Sequence, residues 1–215
     1  GNRPWGGARG SKNLTMRNIL LVLCVMLGVR GASGQAYLGS VAPTEGSALG
    51  GYTLTVSGAN FTVGSSLFSC RLACGGDSLV AAAAPPTDPA ELLCALGGWN
   101  WAACNATVTV LEAGAPVAGM DDTMTWTTAW SAMDQTFVSV VGGTPIVILG
   151  AGFDSGASYK CVFSEIDSQF ADSEAPATVL SSKKVQCVSP SFPAGGTVEL
   201  SVEKAGGGGR PEDPR

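Results

Sequence analysis

Seven cysteines and no histidine bound the chemistry open to this 215-residue chain. Cys24 lies in an apolar N-terminal run, which leaves Cys70, Cys74, Cys94, Cys104, Cys161 and Cys187. A thiol or hydroxyl nucleophile needs a base, and without His neither a Cys-His nor a Ser-His pair can form. Zinc sites take ligands in closely spaced pairs, and Cys70-x3-Cys74 has no second pair to complete one. An even number of cysteines behind a secretory leader reads instead as disulfides. The sequence predicts no metal, no cofactor and no catalytic residue.

Other residues are candidates for weaker reasons. Asn60-Phe61-Thr62 and Asn105-Ala106-Thr107 are N-glycosylation sequons. Asn105 follows Cys104 in a predicted loop. Asn60 sits in a Gly-x-x-Phe turn, where Asn also suits turn geometry, and both readings stand. Trp99, Trp101, Trp126 and Trp130 could build an exposed aromatic platform for sugar, but core and interdomain packing is the commoner fate of such side chains. Glu165, Asp167, Asp172 and Glu174 match no calcium loop and read as a solvated acidic rim. No GxSxG, phosphate-binding loop or dinucleotide fingerprint occurs, and no pair of carboxylates stands out for glycoside hydrolysis. The expectation is a protein that is not an enzyme.

The N-terminal text places the chain in a compartment. From Met16 it reads MRNILLVLCVMLGVRGASGQA: a basic residue, an apolar run from Ile19 to Val29 broken by Gly28, then the small residues Ala32-Ser33-Gly34. This is the grammar of a signal peptide over residues 16–34, too short to cross a bilayer, with residues 1–15 as non-native upstream sequence. Without residues 1–34 the charge is 7 basic against 17 acidic groups, a net of −10. Such a surface opposes nucleic-acid binding, which needs cations to neutralise phosphates, and suits the extracellular medium. The expected location is secreted or on the outer face of the plasma membrane, with membrane attachment only through a C-terminal anchor that this sequence lacks. The last residues, 205–215, are rich in Gly and charge and predict disorder.

Between these ends the chain repeats itself. GGYTLTVSGANFTVGSSLFSC starts at Gly50, and GGTPIVILGAGFDSGASYKC starts at Gly142. Gly50-Gly51, Gly58, Phe61 and Cys70 fall on Gly142-Gly143, Gly150, Phe153 and Cys161, with one residue dropped before the Cys. Cys94 and Cys187 then correspond, as do ATVTVLEAG and TVELSVEKAG. The period is too long for a solenoid and fits two copies of one small domain. Six cysteines allow 15 pairings. The repeat makes equivalent bridges the simplest solution, Cys70–Cys94 and Cys161–Cys187, and leaves Cys74 with Cys104.

The elements that position these residues read as strands. YTLTVSG alternates, and PIVILG is an apolar run suited to a strand covered on both faces. LFSCRL, ELLCAL, ATVTVLEA, TMTWTT, TFVSVV, YKCVFS, KKVQCVS and TVELSVE follow at intervals that suggest a β-sandwich, while AAAAPPTDPAELL reads as a loop.

These residues resemble the IPT/TIG family, immunoglobulin-like domains whose pattern is a Pro-x-x-Gly turn, Gly-Gly, an alternating strand, Gly-x-x-Phe and two Cys strands, the second often ending Cys-x-x-Pro. Pro43, Gly46, Gly50-Gly51, Gly58, Phe61, Cys70 and Cys94 carry the likeness in the first copy; Gly142-Gly143, Gly150, Phe153, YKCVFS and VQCVSPS carry it in the second. The resemblance implies an all-β chain of two tandem immunoglobulin-like β-sandwich domains of E-set type, over residues 36–130 and 131–204. The second lacks the Pro-x-x-Gly turn and a partner for its last strand, as a fragment of a longer protein would. By the same analogy, the expected function is a non-catalytic extracellular or cell-surface binding or adhesion module whose partner is an extracellular protein or a glycan. The alternative is a carbohydrate-binding accessory region of a secreted glycan-acting enzyme. A Rel-like DNA-binding domain is opposed by the leader, the Cys pairs and the charge.

Overall fold

The computed structural model describes residues 34–119, 121–166 and 171–205. The predicted upstream segment, all of the predicted signal peptide but Gly34, the residues from 206 onward and Asp167 lie outside the described residues.

All described secondary structure is β. The first copy holds β1 (Tyr37–Ala42), β2 (Glu45–Ser47), β3 (Tyr52–Ala59), β4 (Phe68–Cys74), β5 (Asp77–Ala82), β6 (Glu91–Leu96), β7 (Asn105–Glu112), β8 (Ala115–Pro116), β9 (Ala118–Gly119) and β10 (Asp122–Thr127). They make two sheets, β6-β3-β1-β9 and β2-β10-β7-β4-β5, with β8 attached to β7. The second copy holds β11 (Ala129–Met133), β12 (Pro145–Ala151), β13 (Tyr159–Glu165), β14 (Ser173–Ser181), β15 (Lys184–Val188) and β16 (Val198–Lys204). These join in the order β11-β12-β15-β14-β13-β16.

Strand β14 explains why the second copy is continuous. Its first half, Ser173–Ala177, pairs with β13, and its second half, Ala177–Ser181, pairs with β15. It therefore passes from one face of the sandwich to the other. Pro176 sits at the crossing, where the ladder changes partner and a missing N–H is tolerated. In the first copy β5 ends sooner, but Ala83 bridges Cys94 and the Ala84 amide donates to Leu93, the same change of side.

Alternation fixes the two cores. Leu54 and Val56 of β3, Cys70 and Leu72 of β4 and Val108 of β7 are fully buried around Phe61 and Trp99. In the second copy Ile146, Ile148, Cys161, Val185 and Val202 surround Phe153. The apolar run PIVILG is a half-buried strand and not one covered on both faces: Ile146 and Ile148 point inward, and Leu149 is exposed. TFVSVV forms no strand; it lies at 136–141 as coil and turn, with Phe137 89% exposed. Segments rich in Ala and Ser, DSLVAA and AWSAM, form β5 and β11 although these side chains signal strands poorly.

The shared corner has a clear physical basis. Gly50, Gly51, Gly142 and Gly143 all hold φ between 76° and 87°, a region that favours glycine. Gly58 and Gly150 are needed for room: a Cβ there would stand 2.1 Å from the Tyr37 carbonyl oxygen and 2.3 Å from that of Ala129. The chain then turns so that Phe61 and Phe153, each 1% exposed, enter the cores.

Candidate functional site

The cysteines are placed by this frame. Cys70 on β4 meets Cys94 on β6 across the first sandwich, with Cα atoms 6.2 Å apart. Cys161 on β13 meets Cys187 on β15 at 6.3 Å. The four are buried, and each bridge ties one face of its sandwich to the other. Cys74 joins Cys104 at 6.6 Å and does something different: it fastens the end of the loop between β6 and β7 to the end of β4.

That loop, residues 97–104, is the joint between the two sandwiches. Trp99 is buried and donates from Nε1 to the Ala102 carbonyl at 2.8 Å. Its ring stacks on Trp126, with centroids 5.4 Å apart and planes 18° apart, and Trp101 packs edge-on against it. The Trp126 amide donates to the Cys104 carbonyl at 2.8 Å. Held from three sides, the loop presents its backbone to the corner of the second copy. The Ala103 amide donates to the Gly152 carbonyl at 2.9 Å, Thr128 Oγ1 donates to the same oxygen at 3.0 Å, and Ser182 Oγ donates to the Asn100 carbonyl at 2.6 Å. Gly152 is at φ +84°, and a Cβ there would lie 2.9 Å from Ala48 Cβ and 3.1 Å from Thr128 Cα. Only Thr128 separates β10 from β11, so strand pairing places Ala129 and Trp130 with the second sheet. A one-residue linker and these hydrogen bonds join the two sandwiches.

The tryptophans thus do not form a platform. Trp99 and Trp126 are each 1% exposed, while Trp101 and Trp130 are half-buried against the first and second cores. Burial leaves Trp126 Nε1 and the Tyr52 hydroxyl without a hydrogen-bond partner, and it pushes the Tyr52 phenol pKa upward.

The acidic residues are scattered. Glu174 pairs with Lys160 at 2.5 Å, and Lys160 also reaches Glu203 at 3.4 Å. The hydrogen bond to Glu174 raises the Lys160 pKa; desolvation opposes it, and the hydrogen bond to Glu203 adds to the rise. Asp172 is exposed, Glu165 ends β13, and no group of three or more potential metal ligands occurs among the described residues. No helix among the described residues is long and apolar enough to cross a membrane.

Both sequon asparagines are exposed. Asn105 is the first residue of β7 and not a loop residue, because its pairing with Thr125 extends the strand. Its Oδ1 accepts from Thr125 Oγ1 at 2.8 Å. Asn60 holds φ 60° and donates from Nδ2 to the Gln35 carbonyl at 3.2 Å. Sequence reasoning expects these tryptophans in core or interdomain packing but does not locate the joint in residues 97–104, although GGWNWAAC, with two Trp before its Cys, was the signal that could have found it.

Comparison with known proteins places the second copy in a family. Residues 132–214 match the IPT/TIG domain. No curated protein matches the chain in sequence. Among solved structures, the full extracellular region of plexin A4 is similar at 15% identity and a TM-score of 0.34, over 81% of this chain and 23% of that one. A structural-genomics protein of unknown function from Bacteroides thetaiotaomicron is similar at 16% identity and a TM-score of 0.40, over 80% and 46%. The Yersinia pseudotuberculosis adhesin InvE is similar at 13% identity and a TM-score of 0.37, over 81% and 57%. The chain spans less than two thirds of the length of each. It carries an IPT/TIG domain, immunoglobulin-like in fold, over residues 132–214.

Proposed function

We propose that this chain is a rigid, non-catalytic binding or adhesion module of the extracellular space, with an extracellular protein or glycan as its partner. The observation that carries this reading is the fixed joint at Gly152, locked by the loop that the Cys74–Cys104 bridge fastens. A bridge placed to hold two sandwiches at one angle serves presentation of their surfaces. The IPT/TIG domain supports the reading, and so do the two core bridges, which persist in an oxidising compartment. Binding would use the loops at the sandwich ends, where backbone is exposed and the β-scaffold beneath it is rigid.

The same reading makes Met16–Gly34 a cleaved leader and Asn105 a glycan carrier. The test is expression in a eukaryotic secretory host. The chain is expected in the medium, beginning close to Gly34, with a mass that falls on N-glycan removal and loses that shift at one site in Asn105→Gln. Purified protein, clustered on beads, is then offered to a panel of cells. Binding lost after protease treatment of the cells identifies a protein partner, and binding lost after glycosidase treatment identifies a glycan. A chain retained in the cell with reduced thiols, or a secreted chain that binds no cell surface, overturns the proposal.

A further inference from the structure

Arg71 is the single Lys or Arg between residues 36 and 130, a stretch that holds seven Asp or Glu. Charge-assisted, two-pronged bonds to carboxylate are the usual fate of an arginine in such company. The Arg71 guanidinium makes no ion pair and no hydrogen bond among the described residues. Its Nε is buried without a partner, yet the residue as a whole is only half-buried. The arm therefore lies down along the sheet, and the forked tip is the part that solvent reaches, as long cationic side chains pack their stems and keep their heads wet.

Strand register fixes what surrounds the tip. Arg71 stands opposite Thr109 of β7 on one side and Val80 of β5 on the other. Two residues along β4, Ala73 stands opposite Thr107 and Ser78. Alternation puts all of these on the outer face, since Cys70 and Leu72, which flank Arg71, are fully buried. Val80 is 57% exposed and makes an aliphatic shelf beside the cation. Carboxylates are kept away. Asp77 and Glu112 stand opposite Cys74 and Phe68, on the inward register of β4. Glu45 shares the outer face, opposite Thr125, but three strand spacings, roughly 14 Å or more, separate it from Arg71 and screen its charge. The face is lined by hydroxyls and cationic at one point.

We propose that this face binds the carboxylate of an acidic sugar at the end of a glycan chain. The Arg71 fork takes the two carboxylate oxygens in one plane, a geometry that lysine does not offer. Thr107, Thr109 and Ser78 bring hydroxyls that donate to and accept from the hydroxyls of the sugar. Val80 receives a C–H face of the ring. With its stem already packed, the arginine loses little freedom on binding. One cation matches one negative charge. The 7 basic and 17 acidic groups beyond residue 34 repel a polyanion, such as an acidic peptide, which needs several cations to hold it. The site rests on the reading of this chain as a binding module and names a ligand for it, on a sheet face and not at the sandwich-end loops.

The experiment titrates the oxidised full chain, freed of N-glycans so that no sugar of its own competes, and follows backbone amides by NMR. The probes are sialyllactose and, in parallel, a disaccharide ending in glucuronic acid. Saturable shifts with at least one of them are expected along β4, β5 and β7 around Arg71. The methyl ester of the same sugar, which has lost the charge, should bind at least about tenfold more weakly. Arg71→Gln should weaken the acid form at least about tenfold, and Arg71→Lys, which keeps the charge without the fork, should fall between. Slow amide exchange retained at Cys70 and Leu72 shows that both variants keep the fold. Absence of saturable shifts with both sugars overturns the proposal. So do equal binding of the ester, undiminished binding by Arg71→Gln, or shifts confined to the sandwich-end loops. Tighter binding of oligoglutamate than of either sugar also overturns it and assigns the face to an acidic peptide. Cell-surface binding of the bead-clustered chain that survives Arg71→Gln, without sugar binding, removes this site and leaves the wider reading standing.

Discussion

Asn60 and Gly152 occupy the same place in the two sandwiches, one residue before the buried Phe61 and Phe153, and both hold a left-handed backbone, with φ of 60° and 84°. Asn60 is exposed and donates to the strand entry at Gln35. Gly152 is buried between Ala48, Ala103 and Thr128 and carries the joint. The local backbone demand is the same, and either Asn or Gly meets it. What distinguishes them is whether another sandwich sits on the corner. The sheet edges teach the same lesson. β7 and β16 share a register with their Cys strands, yet Met124 and Trp126 close one core, while the other keeps a cavity beside Phe192.

The comparison is broken most severely by removing what closes the first sandwich. Trp126→Ala deletes a fully buried ring stacked on Trp99 and should cost the first sandwich about 3–5 kcal/mol, with the second unchanged. Hydrogen exchange of β7 and β13, followed separately, reads this. Equal loss in both would mean that the two cores are one cooperative unit.

Replacing both members of a core bridge comes next. Cys161→Ala with Cys187→Ala opens a bridge of sequence separation 26 and should cost about 3–4 kcal/mol in the chain-entropy picture. The second sandwich has no other disulfide and no strand outside β16 among the described residues, so its thermal transition should fall well below that of the first. The matching pair, Cys70→Ala with Cys94→Ala, should be better tolerated, because Cys74–Cys104 and β10 remain. Calorimetry resolves the two transitions, and an equal drop in both double variants would contradict this ranking.

Swapping the corner residues sharpens the comparison. Gly152→Asn keeps the backbone angle accessible but drives a side chain into Ala48 and Thr128, and should cost about 1–3 kcal/mol. The angle between the sandwiches should also loosen, visible as a broader distance distribution in solution X-ray scattering. Asn60→Gly should stay within about 0.5 kcal/mol of the parent, as an exposed substitution does. If Gly152→Asn leaves stability and scattering unchanged, the joint is not the lock described.

Tyr52 gives the smallest effect. Its hydroxyl is buried without a partner, so Tyr52→Phe should be neutral or stabilising, within about 1 kcal/mol. The sign in pH follows from burial, which raises the folded phenol pKa above its ordinary 10.0. Above pH 10 the unfolded chain gives up this proton while the folded chain keeps it, so stability falls as pH rises toward the folded value. Urea titrations between pH 8 and about 11 should show a shallower loss for Tyr52→Phe than for the parent. A parallel decline would mean that the hydroxyl is hydrated in the folded state.

The sequence by itself determined the frame. Period-2 alternation in YTLTVSG fixed which side chains enter the core, and the doubled Gly-Gly…Gly-x-x-Phe…Cys text fixed which cysteines stand in equivalent places. Both signals are local, because a strand has two faces and a corner needs particular backbone angles. Pattern failed where packing outweighs propensity. Ala-rich β5 and AWSAM become strands because a sheet edge needs a partner, Pro176 is admitted where β14 changes faces, and TFVSVV forms no strand although five of its six residues favour extension. Tertiary structure alone decided that Trp99 and Trp126 stack inside rather than outside, that the Cys74–Cys104 bridge fastens a joint, and that β16 faces a cavity. Each depends on segments far apart in the chain meeting in space, and a side chain's type records what it can do but not what stands beside it.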